Sequence, residues 1–455
     1  MRISSTMMVN GYLKQLNTSY ENQTKLMEQS DGSKLHRPSD DAVGYSKYLR
    51  YQNSLTENTQ YQSNVSNAIS WMKNSDATLV DVCNCLKTVV EKTNAAANGT
   101  NNESDMKAIA QEMLAMVQQA VSDANIQVDG HYLMSGQKDL VQPFSMSEDK
   151  KDCGIAKTMD DNQKTFFYSQ AADGNKCDRT GDLAQMLTLR GSKDGGKTYE
   201  TYYLNTTNGK VYTEEFMTKG YKAVMAAGRD YVQNGDEVFT LGAAEGFDAT
   251  TFVKDNFKNT GELYDDAGKG KNWSPEVTID GETVKFSFDS IKQYIVTYNG
   301  DEKYISMVKQ NGAIQPSSDT VNVTGHDVFG SNIFDDAASG NARSATAALN
   351  DLLAVVAKTE EGDNNWLSQN GMTLSNNSYN TVLGAETKLA ARQQVYTAVQ
   401  DMLTTQNVTI TGDISRVSDT DVAALAVDLM SAQLIYNMSL SVGGKILPGS
   451  LADYL

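Results

Sequence analysis

The sequence has little of what most site chemistry is built from. Its 455 residues hold four cysteines and three histidines, and 57 acidic side chains outnumber 39 basic ones, for a net charge of −18. His36, His131 and His326 are scattered, and Cys83, Cys85, Cys153 and Cys177 lack ligand spacing, so no metal site is expected. So few cysteines in so long a chain make no disulfide framework. Cys83 and Cys85 stand two apart on an expected helix, point to different faces and are badly placed to bridge. The acidic balance argues against nucleic acid and anionic membranes as partners, because phosphate calls for a basic face. The acids are spread along the chain, which reads as solubility. An uninterrupted apolar run of about 18 residues is missing, so no transmembrane helix is expected. "MRISSTMMVNGYLKQ" has no apolar core or small-residue cleavage site and does not read as a secretory signal. G-x-S-x-G, P-loop and H-E-x-x-H motifs are absent, and "AAEGFDA" and "AGKGKNW" lack a strand–loop–helix setting and read as loops. No catalytic residue and no cofactor is expected.

Proline is scarce too: Pro38, Pro143, Pro275, Pro316 and Pro448 are all there are. The spans 39–142 and 317–447 are therefore open to long helices. Val65, Ile69, Met72, Leu79, Cys83, Leu86 and Val90 keep alternating spacings of four and three, interrupted at Asp76, which is a heptad seam. Cys83 reads as a small apolar seam residue. Ala110, Leu114, Val117, Val121, Ala124 and Val128 repeat the pattern after a turn in "NAAANGTNNES". So do Ala345, Leu349, Leu352 and Val356, then Ala385, Leu389, Tyr396, Val399 and Leu403 around a polar Arg392, and finally Val422, Leu425, Leu429, Ala432 and Tyr436. A helix over 39–97 would be roughly 85 Å long, a rod better suited to fibrous assembly than to a compact enzyme.

Glycines, tyrosines and β-branched residues rise between 144 and 335. "ETVKFSFDS" puts Val284, Phe286 and Phe288 on one strand face, Asn208-Gly209 reads as a turn, and Asn299-Gly300 reads as the turn of a hairpin. The fold class expected is mainly α: a coiled-coil helical stalk formed by the N- and C-terminal segments, with an inserted β-rich central domain. The pieces are 1–37, a first terminal helix; 38–143, the N-terminal part of the stalk; 144–338, the insert; 339–418, the C-terminal part of the stalk; and 419–455, a last helix.

"RPSDD" at 37–41 reads as a helix start rather than an acid pair. Neighbouring aspartates point about 100° apart on a helix and cannot share one substrate atom. Ser39 is expected as N-cap with Asp40 and Asp41 in the first turn, Pro38 ends the preceding helix, and Arg37 is free to pair locally or across a subunit boundary. The chain ends are apolar, with Leu13, Leu16 and Tyr20 on one stripe and "KILPGSLADYL" last. Such ends order by burial against a neighbour or against the protein's own body.

"MRISSTMM", "RPSDDAVGYS", "DGHYLMSGQKDLVQPF", "YNGDEKYISMVKQNG…VNVTGHDVF" and "SLADYL", in this order, resemble the flagellar hook-associated proteins of type 3. The likeness covers about 1–145 and 295–455, and 146–290 is extra. The family joins hook to filament in the bacterial flagellum. The resemblance implies a flagellin-like fold and a structural, non-enzymatic role. It implies an extracellular place in the flagellum, reached through the flagellar type III export route without a cleaved signal. It implies terminal helices that are disordered before assembly and form an inner core afterwards. The implied partners are another hook-associated protein, flagellin, further copies in a ring, and an export chaperone. Arg37, Pro38, Ser39, Asp40 and Asp41 are expected in subunit packing. Ile3, Met7, Leu13, Leu16, Tyr20, Leu425, Leu429, Tyr436, Leu451, Tyr454 and Leu455 are expected at the assembly interface. Ala42 stands where the family usually has proline, and cysteines are uncommon in it, so Cys153 and Cys177 could pair outside the cell. The rival readings are flagellin itself, which more often carries an "ADDAAG"-like stretch, and a cytosolic helical enzyme with a β insert.

Overall fold

Long helices occupy both ends of the chain, as the proline-free spans permit. The computed structural model describes residues 5–167, 186–205, 211–228, 276–279, 282–307, 319–330 and 347–446. Outside these lie Ile3, Cys177, Asn208-Gly209, "AAEGFDA", "AGKGKNW", Ala345, Leu451, Tyr454 and Leu455. The chain falls into two units: Met1–Ser66 with Val308–Ala313 and Thr397–Leu455, and Asn67–Met307 with Ile314–Tyr396.

The first unit holds α1 (Ser5–Glu28), the start of α2 (Ala42–Ala96), the end of α8 (Met372–Ser418) and α9 (Val422–Ile446). Here α2 meets α8 through amides. Asn58 Nδ2 donates to Gln406 Oε1 at 3.3 Å, and Gln62 Nε2 donates to the Leu403 carbonyl at 3.0 Å. Leu403 is buried beside them.

The second unit is a helical bundle carrying the β-rich insert. Ile69, Met72, Leu79, Cys83 and Leu86 are buried along α2, as is Val65 in the first unit, while Val90 is half-buried and Val89 takes the inward place. Burial, and then the charge of Glu386, push the Cys83 thiol up to about 11, which keeps it protonated and inert. α3 (Glu103–Ala124) starts on a capping box in which Asn102 accepts from Asp105 N and Asp105 accepts from Asn102 N. Lys92 pairs with Glu112 at 2.7 Å, joining α2 to α3. α3 presents Met106, Ala110, Met113, Val117, Val121 and Ala124 inward. Val128 does not continue it. The helix stops at Asn125, and Val128 belongs to β1 (Gln127–Val128), which turns at Asp129 and Gly130, both at positive φ, into β2 (His131–Tyr132).

The insert begins with β3 (Phe144–Met146) and β4 (Lys151–Gly154). After α4 (Asp161–Phe167) come β5 (Met186–Ser192), β6 (Glu200–Asn205), β7 (Val211–Thr213), α5 (Tyr221–Ala226), β8 (Glu276–Ile279) and β9 (Glu282–Phe288). These five strands form one antiparallel sheet in the order β7-β6-β5-β9-β8. Its core is aromatic: Phe166, Phe167, Tyr212, Phe216 and Tyr221 pack together. Val284 and Phe286 of β9 are buried, as their alternation requires. The expected hairpin at Asn299-Gly300 does not form. β11 (Val296–Tyr298) pairs antiparallel with β3, and Asn299 N donates to Pro143 O at 2.7 Å, so a distant strand takes the partner place. β10 (Ser290–Gln293) pairs with β4. Cys153 on β4 is buried and donates to Lys151 O at 3.6 Å.

The short α6 (Gly325–Phe329) and α7 (Ala348–Glu361) lead through a π turn, Leu367–Gly371, into α8. The buried amide of Asn350 on α7 takes both backbone groups of Val296: its Oδ1 accepts from Val296 N at 2.8 Å and its Nδ2 donates to Val296 O at 2.9 Å. On α8, Arg392 interrupts the apolar series to donate to Asn322 O at 3.2 Å, and the buried Tyr396 hydroxyl donates to Asp319 O at 2.9 Å.

Candidate functional site: the paired terminal helices

α1 and α9 lie antiparallel. Tyr12 donates its hydroxyl to Ser439 O at 3.0 Å, and the rings of Tyr20 and Tyr436 stand 6.1 Å apart. Half-buried on α1 are Val9, Tyr12, Leu16, Ser19, Gln23 and Leu26, with Glu28 at its last residue. Those turned inward on α9 are Leu425, Leu429, Ala432, Tyr436, Ser439 and Gly443. Both sets alternate by three and four, so the two helices share a heptad seam. A side chain at 443 would overlap the Tyr12 hydroxyl, so glycine there lets the helices approach.

The seam divides the apolar residues of α1. Leu16 faces the partner helix, but Leu13 and Tyr20 are exposed at its flank and Met7 is exposed outright. The polar Ser19 and Gln23 fill inward places that an apolar count passes over. Of the expected interface residues on α9, Leu425 is buried while Leu429 and Tyr436 are half-buried. What remains outward is strongly apolar: Val427, Met430, Leu434, Ile435, Met438 and Leu440 are all exposed. α9 is also long and apolar enough to cross a membrane, with a mean hydropathy of 1.2 over Val422–Gly444. The expectation of no such helix rested on uninterrupted runs, and Ser431, Gln433, Asn437 and Ser439 interrupt this one. Its companion α1 carries Lys14, Glu21 and Lys25.

The "RPSDD" turn joins α1 to α2. Asp40 N donates to Arg37 O at 3.0 Å, closing a turn over residues assigned from sequence to the helix. The N-cap is consequently Asp41, not Ser39: its Oδ1 accepts from Val43 N at 3.0 Å, and α2 begins at Ala42. Asp40 sits outside the helix and accepts from His36 N at 3.2 Å and Arg37 N at 2.9 Å. The Arg37 N–H above all holds the Asp40 carboxyl below its ordinary range. Arg37 pairs within the chain, with Glu28 at 2.6 Å, and Lys25 approaches Asp40 at 3.7 Å. Backbone bonds from Lys34 N to Ser418 O (2.6 Å) and Thr420 N to Gly32 O (2.9 Å) tie this turn to the α8–α9 junction. Asp41→Ala is expected to cost about 1 kcal/mol and to fray the first turn of α2, read by amide hydrogen exchange at 43–46.

No cluster of three or more metal-ligating side chains occurs among the described residues. The site is a surface: two paired terminal helices with an uncovered apolar band. The α2 seam also extends further than its apolar residues reveal. Gly44, Tyr48, Tyr51, Leu55, Asn58 and Gln62 continue the alternation back to the cap, all buried or half-buried.

Residues 3–139 match the family of the bacterial flagellin N-terminal helical region. Flagellar hook-associated protein 3 of Salmonella typhimurium is 28% identical over 149 residues, 32% of this chain and 47% of that protein. Its Escherichia coli counterpart is 27% identical over 152 residues, 33% and 48% of the two chains. Phase 1 flagellin of Salmonella naestved is 25% identical over 393 residues, 84% of this chain and 71% of that one. The chain spans about half the length of the hook-associated relatives it matches. Among solved structures, Xanthomonas campestris FlgL covers 80% of this chain and 99% of its own at 13% identity, with a TM-score of 0.36. The matches to flagellar hook-associated protein 3 and to the flagellin N-terminal region agree with the resemblance read from the motifs.

Proposed function

We propose that this chain is a structural subunit of the bacterial flagellum that joins hook to filament. The observation carrying the reading is the apolar band of α1 and α9, found on a chain similar to flagellar hook-associated protein 3. An apolar helix face left open is covered when copies of like helices pack beside it. Each large apolar side chain so buried contributes roughly 1.5–3 kcal/mol before ordering costs. Neighbouring copies in a ring, another hook-associated protein and flagellin supply such helices. An export chaperone covers the C-terminal helix beforehand, and the chain leaves by the flagellar type III route. Tyr12, Tyr20, Leu16, Leu425, Leu429 and Tyr436 hold the helix pair together, and the "RPSDD" turn fixes where it meets α2. Packing is the whole task, and no residue acts as a catalyst.

The second reading, a filament subunit, is favoured by the match to phase 1 flagellin over 84% of this chain. Immuno-electron microscopy of flagella with an antibody to residues 150–290 separates the two. A single band at the hook–filament boundary is expected. Label along the whole filament would overturn the junction reading in favour of flagellin.

A further inference from the structure

Methionine is distributed in this chain in two sharply different ways. Met72, Met113, Met134, Met186 and Met217 are wholly buried. Met430 is 73% exposed, Met7 68%, Met438 60% and Met27 57%, and these four, all on α1 or α9, are the most exposed methionines among the described side chains. Flexible, polarisable thioethers suit a surface that must fit more than one neighbour. They also carry a liability that leucine or isoleucine at the same places would not.

We propose that Met7, Met27, Met430 and Met438 form a peroxide-modifiable set on the exposed sides of the paired terminal helices, and that their conversion to sulfoxides before joining blocks assembly. The inference rests on the assembly reading above. In the step, a sulfur lone pair attacks one oxygen of hydrogen peroxide. The O–O bond breaks, an S–O bond forms and water leaves. Sulfur is oxidised by two electrons and the peroxide is reduced. The sulfoxide is a polar acceptor, and packing it against an apolar helix strands it without a donor. Methionine sulfoxide reductases reverse the change. Once packed among neighbours, the same sulfurs are shielded, so the sensitivity belongs to the unassembled chain.

The test treats the full chain with hydrogen peroxide, maps sulfoxides by peptide mass spectrometry, and measures co-sedimentation with sheared flagellin filaments. The four exposed methionines are expected to oxidise about tenfold or more faster than Met72 and Met113. The oxidised chain is expected to bind filaments about tenfold or more weakly with unchanged circular dichroism, and sulfoxide reductase is expected to restore binding. The combined variant Met7→Leu, Met27→Leu, Met430→Leu, Met438→Leu is expected to bind like the untreated chain and to keep its binding after peroxide. Equal binding by a fully oxidised wild-type chain, no rescue by the reductase, or equal loss in the leucine variant would each overturn the inference and leave the assembly reading intact. Failure of the untreated chain to bind filaments would sink the assembly reading itself, and the inference with it.

Discussion

The combined substitutions Leu434→Asp, Ile435→Asp and Leu440→Asp are expected to abolish incorporation into flagella and, with it, motility. All three side chains are exposed and none lies in the seam with α1. The isolated chain therefore gains three carboxylates on its surface, and at about 0.5 kcal/mol for each substitution its stability should stay within about 1.5 kcal/mol of wild type. Packing them against an apolar neighbour is another matter. Each uncompensated buried charge costs several kcal/mol, so together they weaken association on the order of a thousandfold or more. Immunoblots of purified flagella read the incorporation, and thermal unfolding reads the control. A variant that enters flagella at wild-type level would show that the band is not the assembly face.

The second large effect lies in the other unit. Asn350→Ala removes an amide that satisfies both the N–H and the C=O of Val296. These groups lie inside the protein, so truncation orphans a donor and an acceptor without admitting water. At about 1–3 kcal/mol for each orphaned group, the expected loss is about 3 kcal/mol. Urea unfolding should show a lower midpoint with an unchanged slope. A loss below about 1 kcal/mol would mean that water or a shifted side chain replaces the amide.

These two sites differ in how far the sequence reveals them. The seam of α2 from Val65 to Leu86 is legible because most of its inward residues are apolar, Ser75 and Thr78 being buried polar exceptions, and each apolar residue counted is buried. Its continuation through Tyr48, Tyr51, Asn58 and Gln62 is hidden, because polar side chains in inward places look like surface. On α1 the same blindness rotates the stripe, since Ser19 and Gln23 face in while Leu13 faces out. The helix start expected at "RPSDD" is right in kind and early by two residues. A local backbone turn competes with the cap, and spacing alone cannot rank the two. Asn299-Gly300 misleads for a non-local reason: β3, about 150 residues earlier in the chain, is the strand that pairs with β11. Asn350 is beyond reach in the same way, because its worth comes entirely from a strand 54 positions away in sequence.

Gly443 and Tyr12 make the helix pair a keyed joint. Sliding α9 by one heptad against α1 would put Tyr436 over the Tyr12 hydroxyl, where glycine now leaves room. The fit of Gly443 to Tyr12 therefore favours the observed alignment of the two helices. Whatever packs on their outer band meets the same pattern of knobs on every copy, which is the uniformity that a repeating assembly demands of its parts.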